Sequence, residues 1–205
     1  MGKLIAVFGN SGVGKSTFTK NLCKAGPFTP ILEEMDDRPF IWKFHADRKR
    51  FVVQNQVDYY LNQAEQEYFI RTHDVIGVQD SGLDSAFNLF TKRFYQKGYL
   101  DEDEFLLCQR LYTMLRRFLP PPDLIIELYA PLPTITDRMV KRGRGHDIER
   151  EEDLLALDQL INAWIPTIKS IPIIRVDSSK EDPSYSSIMD DLIKQISVIL
   201  NDGIT

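Results

Sequence analysis

Two hydrophobic rhythms alternate along this chain. Short, continuously apolar runs of five or six residues are separated by longer stretches in which apolar side chains recur every third or fourth position. Residues 3–8 (Lys-Leu-Ile-Ala-Val-Phe) have no helical spacing and predict a buried strand. Further strands are predicted over 29–32, 73–80, 123–129 and 172–176. Helical spacing over 16–24, with Phe18 and Leu22 four apart, predicts the first helix. A long helix is expected over 51–72, with Val53, Val57, Tyr60, Leu61, Ala64 and Tyr68 on a shared face. Helices over 85–98 and 101–119 follow, the second stopped by Pro120, Pro121 and Pro122. Three more are expected over 133–142, 154–165 and 185–200. Strands that alternate with helices need crossover connections, so the expected fold is α/β, a three-layer α/β/α sandwich around a five-stranded parallel sheet.

Composition narrows the class without changing that picture. The 205 residues suit one compact domain, and no repeat or linker divides them. With 43% apolar and 27% charged residues the chain reads as an ordinary soluble protein. A net charge of -5 argues against a nucleic-acid partner. No apolar run approaches the ~20 residues needed to span a bilayer, and no secretory signal precedes the first strand, so a cytoplasmic protein without a membrane partner is expected. Cys23 and Cys108 lie far apart within apolar helical patterns and read as small buried hydrophobes.

The chemistry begins where the first strand ends. Residues 9–17 read Gly-Asn-Ser-Gly-Val-Gly-Lys-Ser-Thr, the full G-x-x-x-x-G-K-[ST] pattern between a strand and a helix. Gly9, Gly12 and Gly14 allow positive φ and close backbone approach, so the N–H groups of Asn10, Ser11, Val13 and their neighbours can form an anion nest. The helix start adds its positive end. Lys15 is expected on the terminal phosphates, Ser16 on Mg²⁺ and Thr17 at the edge of the loop. This predicts a P-loop fold that binds a nucleoside triphosphate with Mg²⁺.

Carboxylates at the ends of parallel strands come next. Glu33 and Glu34 close the second strand and Asp80 the third, where they can face the phosphate loop and serve a hydroxyl acceptor or Mg²⁺. Arg138, Lys141, Arg142 and Arg144, with Gly143 and Gly145, form a basic segment suited to a lid over about 141–153 that neutralises charge during transfer. The acidic run 147–153 is expected to cap and solvate the following helix. Trp42 and Phe44 are candidates for stacking on an acceptor base, Trp164 for the core. Tyr112, Met114, Leu115 and Phe118 form a helix face that a partner subunit could cover.

Together the G-N-S-G-V-G-K-S-T loop, E-E-M-D-D-R-P-F at 33–40, Gln56 in the long helix, Q-D-S-G-L-D-S at 79–85, K-R-G-R at 141–144 and P-I-I-R-V-D at 172–177 resemble the deoxyribonucleoside kinase family, in particular its short bacterial deoxyadenosine/deoxyguanosine kinases. The resemblance implies transfer of the γ-phosphoryl of ATP to the 5′-hydroxyl of a (deoxy)nucleoside, in a homodimeric enzyme of nucleotide salvage. It casts Glu33 as the base for that hydroxyl, Gln56 as the reader of the nucleobase, His45 as the sugar contact, Asp80 as the acidic support of Mg²⁺, and Arg142 and Arg144 as lid cations. Catalytic roles thus fall to Glu33, Lys15, Arg142 and Arg144.

The sequence departs from the family in the acceptor half. Glu34 replaces a proline, Ser81 an arginine, Ala86 an acid and His45 a tyrosine, and the family's acidic partner of the sugar hydroxyl has no clear counterpart near Leu155 and Ala156. Arg38 is a candidate to supply the missing cation. A monophosphate or non-nucleoside acceptor, and a nucleotide-binding protein without transfer, remain alternatives at this stage.

Overall fold

The computed structural model describes residues 2–32, 38–142, 151–179, 182 and 184–200. Five parallel strands form one sheet in the order β2-β3-β1-β4-β5. These are β1 (Lys3–Gly9), β2 (Thr29–Ile31), β3 (Ile76–Asp80), β4 (Leu124–Tyr129) and β5 (Ile173–Asp177). The unbroken apolar run of β1 reflects burial on both faces. Ile5 and Val7 point into a large core with Phe18, Leu22, Met189 and Ile196, while Ala6 and Phe8 meet Ile125 and Trp164 on the opposite side. The expected three-layer α/β arrangement is therefore present.

The helices are α1 (Lys15–Ala25), α2 (Pro39–Ala46), α3 (Arg48–Thr72), α4 (Leu83–Ser85), α5 (Lys92–Gln96), α6 (Glu102–Phe118), α7 (Leu132–Arg142), α8 (Glu151–Trp164) and α9 (Ser186–Leu200). Between α4 and α5 the chain continues as a π-helical segment, Ala86–Thr91. Asp47 caps α3 by accepting from Arg50 N, and Asp101 with Glu104 forms a capping box on α6.

Several local expectations change. α2 was not anticipated; it opens on Pro39, which favours a helix start because its φ is preset and no N–H is wasted. β3 begins at Ile76, because His73 closes α3. On α3, Leu61 and Tyr68 face outward (46% and 63% exposed), whereas Gln56, Tyr60, Gln63, Ala64 and Glu67 are buried. The inward face is partly polar, which a purely apolar pattern could not mark. Trp164 packs on Phe8 as expected, ring centroids 4.9 Å apart. Both cysteines are free, and burial raises the Cys108 thiol to about 11 and the Cys23 thiol to about 12.

A helical layer beside β2 and β3 is joined by charge as well as by apolar contact. Arg116 of α6 bonds both oxygens of Glu67 (2.6 and 2.8 Å) and both oxygens of Asp84 (2.8 and 2.9 Å). Tyr112 donates to Asp84 at 2.7 Å and stacks on Phe87, and Glu67 also accepts from Leu83 N. Desolvation raises the Glu67 pKa, against the pull of Arg116.

Candidate functional site

The phosphate loop turns on its glycines. Gly12 has φ 77 and Gly14, which caps α1, has φ 106. Gly9 permits a close approach: a Cβ there would lie 2.4 Å from Leu128 O and 2.8 Å from Val13 Cγ1. Lys15 Nζ donates to Gly9 O and Asn10 O at 3.2 and 3.1 Å, folding the ammonium over the loop. Asn10 accepts from Ser11 N at 2.8 Å and donates to Leu154 O at 2.8 Å, tying the loop to α8. Val13 is buried and Thr17 exposed.

Asp80 pairs with Val7 in the sheet register, which brings it to the level of the loop. Its carboxylate accepts a hydrogen bond from the Ser16 hydroxyl. One hydroxyl and one carboxylate at this height suit Mg²⁺, which keeps waters and substrate phosphates as its remaining ligands. Among the described residues no group of three or more His, Cys, Asp or Glu side chains could hold a metal by itself, and the chemistry of the Ser16–Asp80 pair does not need one.

The residue after Asp80 is strained. Ser81 has φ 79 and donates its N–H to Val7 O at 3.0 Å, and Gly82 follows at φ 106. This turn sends the chain from β3 into α4 with residues 81 to 89 all buried. The π segment then places Thr91 against α3. Thr91 Oγ1 donates to Gln56 Oε1 at 2.7 Å, lies 3.0 Å from Ala86 O, and bonds the Tyr60 hydroxyl. Beside it Gln79 Nε2 donates to Gln63 Oε1 and Gln66 Oε1 at 2.9 and 3.1 Å. Gln79 Oε1 has no hydrogen-bond partner among the described residues and lies under Gly82. Gln66 reaches Leu32 O at 3.5 Å, next to the segment bearing Glu33.

Other candidates separate. His45 is half-buried and lines a small cavity with Phe44, Arg48, Phe90 and Tyr99. Phe44 is core, packed on Phe94 at 5.0 Å, whereas Trp42 is 62% exposed. Arg38 is buried against α3, bonding Asp58 at 3.1 Å and stacking on Tyr59 at 4.2 Å, so its guanidinium is committed there rather than to Ser81. Tyr112 and Leu115 pack inward, leaving Met114 and Phe118 exposed, which divides the expected partner face.

Arg138 braces the loop. It donates to Val13 O at 3.2 Å and to Ser178 O at 2.5 Å, and Ser178 Oγ also reaches Val13 O at 2.9 Å. Ser178 was not foreseen; its position just past the β5 carboxyl end was the available signal. Asp153 is 1% exposed and pairs with Arg93 and Lys97, so the last residue of the acidic run is an internal anchor of α8 rather than a solvated cap. Lys141 is exposed. Glu33, Glu34, Arg144 and residues 147–150 lie outside the described residues, as does the Arg142 side chain.

A phosphate loop leaving the middle strand of a parallel sheet, with a serine and an aspartate meeting beside it, defines a P-loop phosphotransferase. Comparison with known proteins is more specific, because the deoxynucleoside kinase family profile matches residues 5–201. The chain belongs to the deoxynucleoside kinase family, and is an ATP-dependent nucleoside kinase. It is 26% identical to the deoxyadenosine/deoxycytidine kinase of Bacillus subtilis (strain 168) over 98% of this chain and 94% of that one. It is 29% identical to the deoxyadenosine kinase of Dictyostelium discoideum, over 87% of this chain and 74% of the relative. Deoxyguanosine kinase of Bacillus subtilis is 25% identical over 87% of each. Among the described residues no helix is long and apolar enough to cross a membrane.

Proposed function

We propose that the chain acts as one kinase domain that moves the γ-phosphoryl of ATP to the 5′-hydroxyl of a deoxynucleoside. The observation that carries the mechanism is the meeting of Ser16 and Asp80 beside the phosphate loop. Lys15 and the loop amides of residues 9–17 hold the phosphates, with Lys15 exchanging its loop carbonyls for phosphate oxygens. Ser16 and Asp80 would hold Mg²⁺, whose chemistry is to neutralise the phosphate oxygens. Glu33 orients and deprotonates the acceptor hydroxyl, Gln56 reads the nucleobase and His45 contacts the sugar. Arg142 and Arg144, in a lid that begins at about residue 141 and ends ahead of α8, stabilise charge on the transferred group. The product would enter nucleotide salvage in the cytoplasm, where ATP is supplied.

The same reading includes a homodimer. Leu61 and Tyr68 on α3 and Leu107, Met114 and Phe118 on α6 are large apolar side chains exposed on two neighbouring helices, Phe118 to 78%. Family membership supports a nucleoside acceptor over a monophosphate and an enzyme over a silent nucleotide binder.

Glu33→Gln tests the assignment. Turnover with deoxynucleosides is expected to fall by about 100-fold or more, the usual scale of a lost general base, with ATP affinity measured by calorimetry unchanged. Unaltered turnover removes Glu33 from the chemistry.

A further inference from the structure

We propose that Thr91 is a specificity-positioning residue: it anchors the carbonyl end of Gln56, leaves the amide N–H₂ to meet the nucleobase, and so favours 6-oxopurine acceptors over 6-aminopurines. This rests on the assignment of Gln56 to the base, made above.

The argument is one of hydrogen accounting. Tyr60 is fully buried and its phenol can donate or accept; Thr91 also faces two carbonyl oxygens, which only accept, and this leaves the phenol as the donor between the two hydroxyls. The hydroxyl it meets is that of Thr91, also fully buried. Having accepted from Tyr60, Thr91 has one proton of its own to give. Two carbonyl oxygens compete for it, Gln56 Oε1 at 2.7 Å and Ala86 O at 3.0 Å.

The shorter contact has the usual length of an O–H···O bond and is shorter than the usual N–H···O separation of about 2.9–3.0 Å. The Gln56 atom facing Thr91 is its oxygen, Oε1. A chain Tyr60 O–H to Thr91 O–H to Gln56 C=O results, in which each donor polarises the next.

The consequence falls at the other end of the amide. Gln56 Nε2 takes no partner among the described residues. Two N–H donors are what Gln56 has left to offer, and the neighbouring Ala86 methyl contributes no acceptor. A 6-oxopurine carries N7 and O6 as adjacent acceptors, which suits a donor-only reader. A 6-aminopurine pairs with a carboxamide at two points only if the carbonyl is also free to receive its N6–H, and here Thr91 holds that carbonyl.

The experiment compares kcat/KM for deoxyguanosine and deoxyadenosine in the wild type, Thr91→Val, Thr91→Ser, Tyr60→Phe and Gln56→Ala. The wild type is expected to prefer deoxyguanosine. Thr91→Val, close in shape but without the hydroxyl, frees the carbonyl and moves the ratio toward deoxyadenosine by about tenfold, the scale of one base contact in discrimination. Thr91→Ser restores the wild-type ratio, and Tyr60→Phe keeps it, since Thr91 still donates.

A purely structural role for Thr91 lowers both activities together and leaves the ratio fixed, which overturns the proposal. A wild-type preference for deoxyadenosine overturns it as well. If Gln56→Ala leaves the ratio and both KM values unchanged, the underlying assignment of Gln56 fails instead, and the two failures are distinguishable.

Discussion

Replacing Arg116 by methionine would remove the one cation among the described residues that faces both Glu67 and Asp84. Arg116 is 13% exposed and Glu67 1%, so solvent screens little of their interaction. Breaking a buried pair from one side costs about 3–5 kcal/mol, because the remaining charge stays desolvated. Among the described residues Glu67 then retains only the contact from Leu83 N at 3.4 Å, so a loss of about 4 kcal/mol is expected. At roughly 2.1 cal/mol/K per residue, a chain of this size has an unfolding entropy near 0.4 kcal/mol/K, which converts the loss to a fall in Tm of about 9 °C.

The pH dependence gives the sharper test of the same substitution. Glu67 already has a folded pKa raised above the ordinary 4.5 by desolvation, and Arg116 is what lowers it. Without Arg116 it rises further. A group whose folded pKa is raised binds more protons in the native state, so its contribution is present at low pH and lost as pH climbs from its unfolded value through the folded one. The variant should therefore be more stable to urea at pH 5.5 than at pH 8, and Glu67→Gln added to it should flatten that slope. A Tm loss below about 3 °C at pH 8, or a deficit that grows on acidification, would refute the reasoning.

Two substitutions probe the loop and the apolar face. Gly9→Ala would drive a Cβ to 2.4 Å from the Leu128 carbonyl, a backbone group that cannot swing aside; loss of measurable ATP binding by calorimetry is expected, with the circular dichroism spectrum of the folded protein retained, and native ATP affinity would contradict it. Phe118→Asp puts a charge on a residue 78% exposed, so the monomer should keep its Tm while sedimentation shows dimer dissociation shifted by about 100-fold or more; an unchanged mass profile would exclude this face as the interface.

How much of this could be read from the sequence depended on where each residue finds its partner. The loop was legible because its geometry is local: three glycines, a lysine and a serine act within one turn. Strand β1 was legible because a central parallel strand is apolar on both sides. α2 was hidden because eight residues give barely two turns of periodicity, and Phe40, Ile41, Trp42 and Phe44 crowd several of its faces. The inward side of α3 was misread because Gln56, Gln63 and Glu67 find their partners at Thr91, Gln79 and Arg116, segments remote along the chain. A π segment is likewise invisible to a search for a period of 3.6, since its backbone bonds reach back five residues, as Lys92 N does to Phe87 O.

The stretch from Asp80 to Thr91 links the phosphate loop physically to the positions where the sequence departs from the family pattern. At one end Asp80 meets Ser16; at the other, Thr91 meets Gln56. Between them the chain has little freedom: Ser81 is held at positive φ by its bond to Val7 O, Asp84 is pinned by Arg116 and Tyr112, and Ser85 Oγ bonds Gly82 O. A stretch fixed at so many points holds the Asp80 carboxylate and the Gln56 side chain at a constant offset. Changes at Ser81 and Ala86 then need not disturb the phosphate half, because the bonds that hold it run through Val7 and Ser16. On the proposed assignment of Gln56 to the base, altered residues within the stretch would redirect which base is accepted, while the bonds at Val7 and Ser16 keep the geometry of the donor end.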